Sequence, residues 1–282
     1  MSTVDAACYI AKDKGRNQVY VSSGDDTIMA QHQGEMQWVF EIRKALEEDR
    51  FVLYQQCIEA TDVLAQNDRH FEILLRMHNS KGELVSPGAF LPAAERYNLM
   101  VDLDRWVIQS TFKWLSSSAN KQQSVDFCSI NLSGQSIGDD NLYSFIMEQQ
   151  KTYNIDPQII CFEVTESAAI THLEQAVIFI KRLREHGFLF ALDDFGTGMS
   201  SFAYLKNLPV NFLKIDGSFV KDIIDDPIDH AMVKSINDIG HIMGLKTIAE
   251  YVESEEIKKE LIRLNIDYLQ GYEISPPVPC DT

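Results

Sequence analysis

Acidic and amide side chains recur in this chain at or near the ends of short apolar segments. Glu72 lies in the segment 70–78 and Asn131 in 125–133. Glu163 lies in 159–165, with Glu166 directly after it, and Asp193-Asp194 closes 188–193. Lys214 and Asp216 fall in 212–216, Glu250 closes 245–250, and Gln270 closes 268–270. One acid at such a place is ordinarily a cap for the next helix. Seven segments in succession need another account, because an unpaired buried carboxylate costs several kcal/mol. One or two divalent cations are the simplest compensation. The donors are carboxylate and amide oxygens, with no His or Cys, which suits Mg²⁺ or Mn²⁺ better than zinc. An adjacent Asp193-Asp194 pair can set one carboxylate between two ions and the other on the second ion alone. Two ions about 3.5–4 Å apart clamp a phosphodiester and activate a water. Lys214 aimed into such a cluster either orients that water or balances the acids. The run Asp194-Phe195-Gly196-Thr197-Gly198-Met199-Ser200-Ser201 is either a loop that cradles phosphate or an ordinary strand-to-helix turn. Glu166 is placed to tether it.

The elements that must position these residues alternate. Extended apolar segments are predicted at 51–58, 70–78, 125–133, 159–165, 188–193, 212–216, 245–250 and 268–270. Amphipathic helices are predicted at 37–48, 101–115, 141–153, 171–186, 227–243 and 254–264. The first two strands are close enough for a hairpin. The others alternate with helices, as parallel βαβ units do. Eight strands in about 230 residues fit a (β/α)8 barrel, whose active residues come from the C-terminal strand ends. A doubly wound open sheet is the alternative, but no G-x-G-x-x-G turn is present.

Composition narrows the function. A formal net charge of −17 argues against a duplex nucleic-acid partner, while a small phosphorylated ligand bridged by cations is compatible with it. The five cysteines form no C-x-x-C pair, and four have apolar sequence neighbours. With no signal pattern and no apolar run of about 18 residues, this reads as a reducing, cytoplasmic setting. A membrane tie elsewhere in a longer protein stays open.

Together these residues resemble the EAL phosphodiesterase family over about 37–278. The matching stretches are Glu72-Ile73-Leu74-Leu75-Arg76, Asn131-Leu132-Ser133, Glu163-Val164-Thr165-Glu166-Ser167, Asp193-Asp194-Phe195-Gly196-Thr197-Gly198, Leu213-Lys214-Ile215-Asp216, Ala249-Glu250 with Glu253, and Gln270-Gly271-Tyr272. The resemblance implies an α/β fold, a TIM-like (β/α)8 barrel with an antiparallel first strand. It implies hydrolysis of cyclic di-GMP to linear pGpG with two Mg²⁺ or Mn²⁺ ions, and a homodimer. Glu72, Asn131, Glu163 and Asp193 are then expected on the first metal, and Asp193, Asp194 and Glu250 on the second, directly or through water, with Glu250 either a direct ligand or a general base. Lys214 is expected to position the nucleophilic water, Gln270 to support the water network, and Glu166 to order the loop after the fifth strand. Gln55, Arg76, Asp216 and Glu253 are expected to face guanine and phosphate groups.

Three residues depart from the family pattern. Ile73 stands for Ala, which changes packing and not ligation. Gln56 stands for Pro, which is expected to loosen that strand end. Tyr251 stands for Gly and offers a ring to a guanine. A degenerate receptor that binds cyclic di-GMP without cutting it is the alternative function. Such receptors have lost metal ligands or the lysine, and here all are in place. Residues 5–17 resemble the end of a GGDEF diguanylate cyclase domain. The expected organisation is therefore a GGDEF remnant at 1–21, a linker at 22–36 and an EAL domain at 37–282, cut from a longer protein with upstream GGDEF or sensory domains.

Overall fold

The computed structural model describes residues 27–62, 69–117, 125–197 and 204–280, with side chains from residue 34. The GGDEF-like remnant at 1–21 and the stretch Gly198–Ser201 of the expected loop lie outside the described residues. Two compact units are distinguished, residues 53–75 with 101–282, and residues 1–52 with 76–100.

The larger unit holds the barrel. Its strands are β1 (Phe51–Ala60) and β2 (His70–His78), whose outer ends belong to the smaller unit, then β4 (Phe127–Leu132), β5 (Ile160–Thr165), β6 (Leu189–Phe195), β7 (Phe212–Ile215), β8 (Lys246–Ala249) and β9 (Tyr268–Gln270). The hydrogen-bonded order runs β1, β9, β8, β7, β6, β5, β4, β2 and returns to β1, so the sheet closes. β2 and β4 to β9 pair in parallel, while β1 runs antiparallel to β9. The expected barrel and its reversed first strand are both present. A short strand β10 (Val278–Pro279) adds to the edge of β1.

Why these segments become strands follows from their alternation. Side chains at i, i+2 point one way and the intervening ones the other. Phe162, Val164, Phe190, Leu192, Leu213 and Ile215 point outward and are buried under the helices. Those helices are α3 (Met100–Ser116), α4 (Gly134–Ile137), α5 (Leu142–Tyr153), α6 (Glu166–Thr171), α7 (Leu173–Arg184), α8 (Gly217–Val220), α9 (Pro227–Ile242) and α10 (Glu255–Arg263). α9 begins with Asp226 accepting from Ile228 N and Pro227 at its first position, and α10 with Ser254 accepting from Ile257 N. Inside the barrel, Ile58, Ala60, Phe127, Cys161, Ala191, Phe212, Ile248 and Tyr268 form a separate apolar layer.

The smaller unit contains α1 (Thr27–Glu47), β3 (Leu84–Val85) and α2 (Pro87–Arg96). β3 pairs with Met77 and His78 of β2. Phe51 meets Phe90 edge to face, and Arg50 bonds Glu41 and the His78 carbonyl.

Several expectations are corrected. α1 starts at Thr27, so residues 27–36 of the expected linker are helical. The helix predicted at 171–186 begins only at Leu173 and follows a separate turn-length helix α6, with the break at His172. β3 and α2 have no sequence counterpart. Cys128 and Cys161 are buried and Cys280 half-buried, but Cys57 is exposed, because alternation along β1 turns it outward. No described helix is long and apolar enough to cross a membrane.

Candidate active site

Two residues further along six of the strands, the barrel interior changes character. Cys161 is followed by Glu163, Ala191 by Asp193, Phe212 by Lys214, Ile248 by Glu250, Tyr268 by Gln270 and His70 by Glu72. The pleat that turns the apolar layer inward therefore turns these polar groups inward as well, at the C-terminal mouth. Parallel register sets Asn131 beside Glu163 on neighbouring strands.

Lys214 is the hub, and it is fully buried. Its Nζ lies 2.7 Å from Glu163 Oε2, 2.7 Å from Glu250 Oε1, 3.2 Å from Asp193 Oδ1 and 3.5 Å from Glu72 Oε2. Burial alone would lower the lysine pKa, but the Asp193, Glu163, Glu250 and Glu72 carboxylates outweigh it and hold it well above the ordinary value. Burial pushes Glu163 well up, and repulsion from Glu72 and Asp193 adds to this against the pull of Lys214. Glu250 is raised to about 8, chiefly by burial. Glu72 goes the other way: against the cost of burial, Lys214 and hydrogen bonds from Gln270 and Asn131 hold it below the usual range. Those bonds run from Gln270 Nε2 at 2.7 Å and from Asn131 Nδ2 at 2.5 Å.

Asp194 breaks the alternation. Its φ is +53°, and the β6–β7 register shifts between Leu192 and Phe195. A bulge of this kind re-aims a side chain. Carboxylate oxygens of Asp193, Asp194 and Glu250 come within 4.8 Å of one another. Burial, with Asp193 and Asp216 nearby, raises Asp194 to about 6. One lysine cannot neutralise this many acids. Glu163 Oε1 and Gln270 Oε1 are buried without a hydrogen-bond partner, and Asp193 Oδ1, also buried, has no hydrogen bond beyond its ion-pair distance to Lys214. Buried polar oxygens are nearly always satisfied, so these, among hard oxygen donors, fit a divalent cation.

The remaining expected residues separate into groups. Glu166 is buried and accepts from Gly196 N at 3.0 Å, directly after β6, and from the Tyr204 hydroxyl. Asp216 caps α8 through Ser218 N at 2.8 Å, so capping holds at this one strand end. Tyr251 and Glu253 are exposed on the segment after β8, Gln55 is half-buried on β1 opposite Val278, and Arg76 lies on β2 four residues beyond Glu72. Gln56 corrects an expectation. It does not loosen β1, because its Nε2 donates to Ser275 O at 3.0 Å and its Oε1 accepts from Gln270 Nε2 at 3.2 Å. Sequence reasoning missed Tyr204 and this role of Gln56. Both act across long sequence separations, and no local pattern signals them.

The chain is similar to known proteins over most of its length. The EAL domain family model matches residues 40–277. Cyclic di-GMP phosphodiesterase PdeB of Shewanella oneidensis is 41% identical over 280 residues, which is 99% of this chain and 32% of that protein. The chain thus spans about a third of the length of this curated relative. The solved structure of the PaMucR phosphodiesterase in complex with c-di-GMP superposes with a TM-score of 0.80 at 32% identity, covering 86% of this chain and 98% of that one. The FimX EAL domain from Pseudomonas aeruginosa bound to c-di-GMP gives 0.79 at 29% identity, covering 85% and 96%.

Proposed function

The chain belongs to the EAL domain family, and from that premise we propose that it hydrolyses cyclic di-GMP to linear pGpG. The observation that carries this reading is the convergence of Glu72, Glu163, Asp193 and Glu250 on one buried lysine, with oxygens left over for cations. Glu72, Asn131, Glu163 and Asp193 would hold one Mg²⁺ or Mn²⁺, and Asp193, Asp194 and Glu250 a second. When bound, such ions supply Lewis acidity to the phosphodiester and make a water nucleophilic at neutral pH.

The protein groups divide the remaining work. Lys214 Nζ orients the attacking water and offsets negative charge on the phosphoryl oxygens. A bond forms from the water oxygen to phosphorus, and the bond to the ribose O3′ breaks. The water's proton passes to a carboxylate, and the departing O3′ takes up a proton, which leaves one linear product. Without a metal, burial raises Glu250 to about 8 and Asp194 to about 6, so an ion held there would displace their protons. Glu166 and Gln270 position rather than react, the first through Gly196 N and the second through Glu72. Gln55, Arg76, Asp216 and Glu253 are the proposed contacts to the nucleotide. The same reading takes the domain as cytoplasmic, homodimeric and joined upstream to a GGDEF domain.

Incubation with cyclic di-GMP and Mg²⁺ or Mn²⁺, with chromatography of the products and an EDTA control, tests the proposal. Metal-dependent pGpG is the expected result. Nucleotide that binds but stays intact with both metals would replace the enzyme reading with that of a receptor.

A further inference from the structure

Tyr251 follows Glu250 with a φ of +59°, in the left-handed region that a bulky side chain rarely adopts. Such strain persists only where the surroundings over-determine it, and it gathers at binding and catalytic sites. Here the next residue is fixed on both sides. Val252 N donates to Gln270 O at 3.0 Å, and Val252 O accepts from Glu273 N at 2.9 Å. The backbone of Val252 also presses on Gly271, where an added Cβ would fall 2.2 Å from Val252 O.

The tyrosine itself is seated on Gly217. A Cβ at 217 would lie 2.6 Å from Tyr251 Cβ and 2.8 Å from its Cγ and Cδ2. The ring therefore requires the glycine beneath it. In spite of that seat, Tyr251 remains 58% exposed. A tyrosine retained for packing would be buried, whereas this one is supported from below and open otherwise. That is the form of a stacking platform for a planar base.

Resting on the proposed cleavage of a purine dinucleotide, we infer that Tyr251, carried on Gly217, is a specificity-determining residue that stacks on one of the substrate's purine bases. Its neighbour Glu250 belongs to the acidic cluster, so a base held on Tyr251 fixes the nucleotide directly beside that cluster. The phenol hydroxyl is not needed for this role, but the ring is.

Initial-rate kinetics on cyclic di-GMP with Mn²⁺ test it, together with the rise in melting temperature that cyclic di-GMP causes. Tyr251→Leu is expected to raise KM roughly 5- to 150-fold, the range of base–aromatic stacking, with the loss on KM rather than kcat. It should shrink the thermal shift in step. Tyr251→Phe keeps the ring and is expected to stay within about twofold of the parent KM. Gly217→Ala should reproduce the loss by displacing the ring, and should add nothing to Tyr251→Gly. Parent-like KM and thermal shift in Tyr251→Leu would overturn the inference while leaving the phosphodiesterase reading intact, as would additive losses in the Gly217→Ala, Tyr251→Gly double variant. A parent protein that leaves cyclic di-GMP intact, yet loses its thermal shift on Tyr251→Leu, would sink the hydrolase reading and support the platform.

Discussion

The barrel interior has two layers built by the same strands. The lower layer is Ile58, Ala60, Phe127, Cys161, Ala191, Phe212, Ile248 and Tyr268. Its rings lock together, with centroids of Phe127 and Phe212 4.8 Å apart and those of Phe127 and Tyr268 5.7 Å apart. The upper layer lies two residues on, about 6–7 Å higher, and consists of Glu72, Glu163, Asp193, Lys214, Glu250 and Gln270. Backbone geometry is shared, so the difference is side-chain chemistry alone. The lower layer removes apolar area from water and needs nothing else. The upper layer concentrates charge that the protein by itself does not balance. Stability and reactivity are thus separated along the strand direction.

The sharpest way to break this contrast is to alter charge in the upper layer. Asp193→Asn should lower turnover of cyclic di-GMP by about 10²–10³-fold or more. Its melting temperature in EDTA should hold or rise, because one of several crowded acids is neutralised. Lys214→Ala should lose comparable activity but behave oppositely in stability. It removes the buried cation that faces Glu72, Glu163, Asp193 and Glu250, at a cost of about 3–5 kcal/mol. The sequence alone does not separate the two variants, and the position of the lysine shows why they should differ. Equal melting temperatures for the two would refute the hub assignment.

Phe127→Ala is the converse test. Truncating a buried phenylalanine costs about 3–5 kcal/mol. Denaturant titration should show that loss, while kcat of the folded fraction should stay within about threefold of the parent, since no upper-layer group loses a partner. A collapse of kcat without a change in stability would mean the layers are not separable.

The layers also differ in their response to pH. Glu250 and Asp194 sit at about 8 and about 6 when folded, above their ordinary values of 4.5 and 3.8. Folding therefore favours their protonated forms. That contribution is complete below about pH 4 and is lost as pH rises through 6 and then 8. In EDTA, the melting temperature attributable to this site should fall from pH 5 to pH 9. Glu250→Gln should flatten the upper part of that fall. With Mn²⁺ the slope should weaken or reverse, because metal binding needs the ionised carboxylates. A melting temperature in EDTA that rises across this range in step with the ionisation of Glu250 would contradict the raised values.

Much of this was legible in the sequence because period two and acids at strand ends are local signals. β2 and β9 fall where expected, and the set of Glu72, Glu163, Asp193, Lys214, Glu250 and Gln270 converges as their strand positions require. The short helix α2 was not legible. Pro87, Gly88 and Pro92 are weak helix formers, although Pro87 occupies the first helical turn, where proline is well tolerated. The division at His172 was equally hidden, because Thr165 starts a separate capped turn before the amphipathic period begins. Nothing local announces that Asp194 takes a left-handed φ, or that Tyr204 reaches Glu166.

Gln56 is the mildest probe of the upper layer and the most specific. The family pattern has proline there, and the glutamine instead links β1 to Ser275 and to Gln270, which in turn donates to Glu72. Gln56→Ala leaves the Ser275 carbonyl without this donor and frees the Gln270 amide from one of its two acceptors. A net cost of about 0.5–1.5 kcal/mol follows for one hydrogen bond. If Gln56 acts only through Gln270, Gln270→Ala should lower kcat more than Gln56→Ala, and the double variant should match Gln270→Ala alone. If instead the double variant multiplies the two losses, Gln56 touches the reaction by another route. The upper layer would then extend beyond the residues that its acidic signature marks.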